Sequence, residues 1–398
     1  MFLFSNWLLL LAALSLAGWL YLVLGRGAFW HAASLPDLAV PLRQRLPDVV
    51  AVMPARNEAA YVARTLHSLI AQDYPGRVSV ILVDDSSEDL TRAIAEATTT
   101  RPDRSLEVIG ARPLPDGWSG KLWAVSEGVR HGFERMPDAP YVLLTDADVQ
   151  HDPGDLRRLV AKAEADRLDL VSLMFRLHCQ RPWERLLIPP FVFFFRQLYP
   201  FSAVNRQQRA EAAANGGCIL VRREALRRIG GIASIRDRLI DDIALAQRIK
   251  HYPTPGAGRI WLGLSGSTRS LRDERRLSDI WEIVARYADT RLGHSRALLV
   301  LAILAMLDLY LVPPLVLIGW PLHGSTTVAA LGLAGWLCMT LAYWPIVRLH
   351  RLRPYWALTL PLAAVFYTAM TIDSALQYRR GTGGRWKGRI AAPPVPRT

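Results

Sequence analysis

Asp146-Ala147-Asp148 closes an apolar run, Tyr141-Val142-Leu143-Leu144-Thr145. Two carboxylates spaced i, i+2 are hard oxygen donors, a set that suits Mg2+ or Mn2+ bridging a diphosphate. On an extended backbone both side chains would point to one side, with Ala147 giving clearance. A solvated turn after a strand has the same composition, so this pair decides nothing alone. Two more acidic pairs recur along the chain. Asp84-Asp85 follows Val78–Val83, and Asp241-Asp242 precedes Ile243, Ala246 and Ile249, which share one helical face. The bland reading of Asp241-Asp242 is a helix cap.

These residues need a scaffold, and the pattern around them supplies one. The run before Asp146 is too apolar to have a wet face, so it reads as a buried strand. The C-terminal end of such a strand is where α/β sheets place ligand chemistry. Asp48–Met53 reads as a first strand ending in Pro54-Ala55-Arg56-Asn57-Glu58. Asn57 would cap a helix whose apolar face is Val62, Leu66, Leu69 and Ile70. Pro75-Gly76 breaks the chain before the strand Val78–Val83. A strand near Leu106–Ile109, a helix from about Lys121, a helix near Pro153–Ala165 and a strand Asp169–Met174 follow. Asn215-Gly216-Gly217 reads as a tight turn into a further strand. The alternation predicts an α/β fold with a doubly wound, mostly parallel sheet.

The chain has 398 residues, 51% of them hydrophobic, and a formal net charge of +13. That is ample for one large core and membrane spans. The excess is almost all arginine, no nucleic-acid-binding module is visible, and no nucleic acid partner is expected. Cys179, Cys218 and Cys338 lie too far apart in sequence to signal a disulfide framework or metal cluster. Phe2 to Leu24 is long and apolar enough to span a bilayer. Arg26, Arg43 and Arg45 follow it, which favours an uncleaved anchor (1–25) with its C-terminal side in the cytoplasm. A linker (26–46), a cytoplasmic catalytic domain (47–290), a membrane region (297–377) and a basic tail (378–398) complete the expected layout. Ala297–Trp320, Thr326–Val347 and Tyr355–Gln377 are the further candidate spans. Pro361 and Asp373 interrupt the last of them, and the tail beyond is basic, so it is expected to re-enter or lie at the interface, leaving two or three spans. Ile188–Phe201 holds Phe191, Phe193, Phe194, Phe195, Tyr199 and Phe201 but is too short to span. It is expected at the bilayer surface, with Arg196 and Arg206 near headgroups; a buried helix is the alternative.

Taken together, Pro54-Ala55-Arg56-Asn57-Glu58, Val83-Asp84-Asp85-Ser86-Ser87-Glu88-Asp89, Asp146-Ala147-Asp148 and Asp241-Asp242 resemble the family 2 glycosyltransferases of GT-A fold over about residues 48–260. Gly117-Trp118-Ser119-Gly120-Lys121 and the tail Arg380–Arg389 extend the likeness to the membrane-bound hopene-associated glycosyltransferases. The resemblance implies a GT-A sheet flanked by transmembrane helices in the inner (cytoplasmic) membrane. It implies inverting transfer from a nucleotide-sugar donor to a membrane lipid, a hopanoid or other polyprenoid, with Mn2+ or Mg2+. Asp84 and Asp85 would hold the ribose and base, since carboxylates accept from hydroxyl and imide N–H donors. Pro54, Arg56, Asn57 and Glu58 would line the same pocket, with Gly216 and Gly217 near the sugar. Asp148, assisted by Asp146, would carry the metal. Asp242 would be the general base, stabilised as a carboxylate by its helix N-terminus. The family pair is Glu-Asp, so Asp241 stands one methylene short. Lys121 begins a helix from which an ammonium could reach the diphosphate or simply sit in water. Processive members carry Gln-x-x-Arg-Trp, which the segment Arg275 to Arg286 lacks. Transfer of a single sugar is therefore expected, with Trp281 and Arg286 near the acceptor beside Phe193 and Phe194. A processive polysaccharide synthase and a catalytically inactive membrane scaffold are the competing readings.

Overall fold

The computed structural model describes residues 2–31, 34, 46–274, 276–386 and 389–390. Most of the expected linker (35–45), Arg275 and the tail residues 387–388 and 391–398 lie outside the described residues. The chain forms two compact units. One is helical and gathers Met1–Ala32, Cys179–Ser202 and Glu274–Ile390. The other is built on a sheet and holds Ala33–His178 and Ala203–Asp273. Of the stretch expected as one domain over 47–290, Cys179–Ser202 and residues 274–290 group with the helical unit.

In the sheet unit the strands are β1 (Val49–Ala55), β2 (Val78–Asp84), β3 (Arg104–Gly110), β4 (Tyr141–Leu144), β5 (Val149–Gln150), β6 (Leu170–Arg176), β7 (Ile219–Arg222) and β8 (Ile260–Ser270). Their order is β3-β2-β1-β4-β7-β6-β8-β5. β3, β2, β1 and β4 are parallel, with Ala51 paired to both Val80 and Leu143. β7 runs antiparallel between β4 and β6, and β5 runs antiparallel to β8. β1 and β2 are buried almost throughout, as strands covered on both faces must be. Met53, Leu66, Leu82, Leu143 and Leu220 share one core. The helix Gly120–Arg135 lies close on β1, because a Cβ on Gly128 would overlap Val52 and one on Gly132 would overlap Val50. That close approach fixes where the first turn of this helix, and Lys121 with it, can sit.

Among the described residues, the helical unit has four helices long and apolar enough to cross a membrane by length and composition: Asn6–Gly25, Arg296–Ile318, Thr326–Leu349 and Pro354–Arg379. The last is not a re-entrant hairpin. Pro361 falls in the first turn of the helix Leu360–Arg379, where a missing N–H costs nothing. Asp373 accepts hydrogen bonds from Trp281 Nε1 (2.8 Å) and Gln377 Nε2 (2.7 Å), so its carboxylate is hydrogen-bonded within the continuous helix. The first span is tied to the second through side chains. Ser15 donates to the Asp308 carbonyl (2.8 Å) and Trp19 Nε1 to the Leu309 carbonyl (2.6 Å). Both acceptors lie in the π-helical turn Leu307–Leu311. A wider turn displaces carbonyls from the regular ladder, and in an apolar setting they need other donors.

The aromatic segment is also corrected. It forms the helix Pro182–Leu198. Phe193, Phe195 and Phe201 are only 1%, 4% and 2% exposed. Phe193 packs on Trp19, Phe29 and Tyr343, and Phe194 on Tyr310 and Tyr367. Arg196 is buried, so it offers no surface cation. Phe193, Phe195 and Phe201 are core, covered by apolar helices from elsewhere in the chain, whereas Phe191, Phe194 and Tyr199 are half-buried.

Candidate active site

Asp146 and Asp148 lie in the short turn between β4 and β5, not on a continuing strand. Thr65 Oγ1 holds that turn by donating to the Ala147 carbonyl (2.8 Å), and Ala147 is buried. The two carboxylates consequently meet different cations. Lys121 Nζ stands 3.0 Å from Asp146 Oδ1 and 3.1 Å from Asp241 Oδ2. Its helix is capped by Ser119, whose Oγ accepts from the Leu122 N–H. Pro54, Lys121, Asp146, Gly216, Asp241 and Asp242 line one small cleft.

Asp241 and Asp242 occupy the first turn of the helix Asp241–Lys250, and Ile240 takes the cap position. The capping reading of this pair therefore does not hold. Asp242 Oδ2 accepts from the Gly216 N–H (3.1 Å) and Oδ1 from the Ile243 N–H (2.7 Å). These two contacts orient the carboxylate at the positive end of the helix. Gly216 faces the cleft with room to spare, since an added Cβ would come no nearer than 3.5 Å to Lys121 Nζ. Gly217 differs: its Cβ would overlap the Phe175 ring and Val149. Close packing therefore requires a glycine at this position.

The ends of β1 and β2 are laced together. Arg56 Nη1 donates to the Asp85 carbonyl (2.7 Å), and Asp84 accepts from the Ser87 N–H (3.3 Å). Asn57 is not a helix cap. Its φ is +52°, its Oδ1 accepts from the Glu88 N–H (2.8 Å), and its own N–H donates to Ser87 Oγ (3.1 Å). The helix starts later, at Val62. Asn57 thus joins two loops at the parallel edge, with Asp84 and Asp85 both buried beneath them.

Arg272 is a site residue that sequence reasoning missed. Its Nε donates to Asp148 Oδ2 (2.7 Å), and its Nη2 donates to both Glu58 oxygens (2.7 and 2.9 Å). Its guanidinium lies 5.3 Å from the centre of the Tyr61 ring. Burial pushes the Tyr61 phenol up, with Arg272 opposing. Arg272 follows β8, a strand whose Gly-Ser-rich sequence gave no strand signal. Phe193, Phe194, Trp281 and Arg286 belong to the helical unit. Trp281 is bonded to Asp373 there, and Arg286 lies over the Tyr287 ring.

Among the described residues, no three His, Cys, Asp or Glu side chains gather closely enough to hold a metal ion unaided. Asp146 and Asp148 nevertheless offer hard oxygen donors on one short turn. That set fits a divalent cation which takes its other ligands from a diphosphate and water.

Comparison with known proteins assigns the class. The glycosyl transferase family 2 model matches residues 50–230, which take in β2 to β7 and all of β1 but Val49. Asp241, Asp242 and Arg272 lie beyond it. The fold is GT-A-like. A mannosyltransferase from Pyrobaculum calidifontis, solved with GDP-Man and Mn2+, superposes with a TM-score of 0.54 at 20% identity, covering 93% of this chain and 98% of that one. The family likeness thus covers residues 50–230, a little under half of the chain, and the structural likeness shows the fold. The succinoglycan biosynthesis protein ExoO of Rhizobium meliloti is 31% identical over 33% of this chain. The undecaprenyl-phosphate 4-deoxy-4-formamido-L-arabinose transferase of Shewanella sediminis is 31% identical over 30% of it. The matches span 36% and 34% of those relatives' own lengths.

Proposed function

We propose that this chain transfers a single sugar from a nucleotide-sugar donor to a lipid acceptor in the membrane, with inversion at the anomeric carbon. The observation that carries this reading is the convergence of Lys121, Asp146, Asp241 and Asp242 on one cleft at the ends of the parallel strands. Asp84 and Asp85 receive the nucleoside. Lys121 holds a phosphate oxygen, exchanging a carboxylate partner for it. Asp242, oriented by Gly216 and Ile243, takes the proton from the acceptor hydroxyl. The new C–O bond forms as the bond to the diphosphate breaks, and the diphosphate leaves with the electron pair. A divalent cation bound at Asp148 would stabilise the charge on that leaving group.

The lipid acceptor is supported by the four apolar helices and by the relative named for undecaprenyl phosphate. A hopanoid rests on the tail and Gly-Trp-Ser-Gly-Lys resemblance alone. The basic residues after the first span favour the inner membrane with the sheet unit in the cytoplasm. A polysaccharide-building role has the succinoglycan relative in its favour, and the missing Gln-x-x-Arg-Trp against it. Nucleotide release from UDP- and GDP-sugars by the full chain in nanodiscs, with Mn2+, tests the reading. Release that rises with added polyprenyl or hopanoid acceptor, giving one sugar per lipid, is expected. Release indifferent to any lipid, or products with several sugars per lipid, would overturn it.

A further inference from the structure

The carboxylate expected to carry the metal already has a tight cationic partner. Arg272 spends its Nε on Asp148 Oδ2 and its Nη2 on both oxygens of Glu58. The backbone around this contact is fixed on both sides. The Leu271 N–H donates to the Asp148 carbonyl (2.7 Å), and β5 is paired with β8 through Val149–Ser270 and Gln150–Arg269. Glu58 is buried, and its N–H is held by Thr91 Oγ1 (2.7 Å). Arg272 therefore cannot leave as a segment; only its side chain can turn. Glu58 holds Nη2 while the guanidinium lies over the Tyr61 ring, so a turn that keeps Nη2 on Glu58 would release Asp148.

From this we propose that Arg272 is a positioning residue for the donor diphosphate, which makes metal binding at Asp148 conditional on the donor. The inference rests on the nucleotide-sugar reading above. A divalent cation approaching Asp148 alone meets a guanidinium on the same oxygen and must displace it without giving it a new partner. When a diphosphate arrives together with the cation, Arg272 passes from Asp148 to a phosphate oxygen. Guanidinium is suited to that exchange, because its planar donors fit carboxylate and phosphate alike. Arg272 then adds positive charge beside the departing diphosphate.

The test is Mn2+ binding by electron paramagnetic resonance on the full chain in nanodiscs, without nucleotide and with UDP or GDP. Wild type, Arg272→Gln and Arg272→Lys are compared, each with a thermal melt. Arg272→Gln is expected to bind Mn2+ alone about tenfold more tightly and UDP or GDP with Mn2+ about tenfold more weakly, the scale of one charge-assisted hydrogen bond. Arg272→Lys should fall between, keeping the charge without the fork. Unchanged affinity for Mn2+ alone would overturn the proposal. So would a parallel loss of both affinities with a lowered melting temperature, the mark of a merely structural ion pair. If wild type binds neither UDP nor GDP with Mn2+, the donor reading falls, while the Mn2+-alone comparison still decides whether Arg272 guards Asp148.

Discussion

Asp242 shows how much a single side chain depends on its main-chain neighbours. Its two oxygens accept from Gly216 and Ile243, so orientation comes from the backbone and reactivity from the charge. Asp242→Asn keeps an oxygen for one of those N–H groups but cannot take a proton. Turnover should fall by about two to four orders of magnitude, with UDP or GDP affinity nearly unchanged; normal turnover would move the base to Asp241. His151 carries a different consequence. It is buried, and its Nε2 lies 2.8 Å from Thr145 Oγ1. Thr145 also donates to the Gly217 carbonyl (2.9 Å), so the histidine is the donor in their contact. Burial lowers its pKa from the ordinary 6.5, against the pull of Asp155. The unfolded chain then takes up a proton near pH 6.5 that the folded chain refuses, so this stability is present above about pH 6.5 and lost as the pH falls below it. His151→Gln should flatten the decline in melting temperature between pH 7 and pH 5. The acidic pairs were legible in sequence because two like charges at a strand end or helix start are conspicuous. Arg272 was not, since one arginine in an arginine-rich chain reveals its partners, Asp148 and Glu58, only through folding.

At the scale of elements, the parallel strands were readable because strands buried on both faces write continuous apolar runs. β8 was not, because Gly263, Gly266 and three serines dilute its pattern. The place of β7 was hidden too, since pairing between β4 and β6 is decided by sheet closure and not by its own sequence. The aromatic helix Pro182–Leu198 was misplaced for a related reason: its covering comes from chain segments far away, including Trp19 and Tyr343. The helix Gly120–Arg135 offers a clean test of how elements set chemistry. Gly132→Ala would force a methyl into Val50, and overpacking of this kind costs about 1–3 kcal/mol. A lowered melting temperature is expected. Weaker UDP or GDP binding should accompany it even well below the melting temperature, because Lys121 moves with the helix. Unaltered stability would mean that the helix lifts off β1 freely.

At the scale of the molecule, the four apolar helices make a topological prediction. If Arg296–Ile318 and Thr326–Leu349 both cross, the chain returns to the side it left. In a chain freed of Cys179, Cys218 and Cys338, cysteines at Arg296 and Arg353 should react with an impermeant maleimide from one side of sealed vesicles. A cysteine at Leu322 should react only from the other. Labelling of all three from one side would remove both crossings.

The ties of Ser15 and Trp19 to the Leu307–Leu311 turn bear on how the protein is made. The first helix leaves the ribosome carrying two donors whose acceptors lie almost three hundred residues downstream. Everything that builds the sheet is synthesised in between. If the helix Asn6–Gly25 enters the bilayer as it is made, these two donors meet their acceptors only once the turn Leu307–Leu311 has followed. A chain stalled before Leu307 would then leave the Trp19 indole and the Ser15 hydroxyl without these acceptors, a mark by which quality control could know it as incomplete.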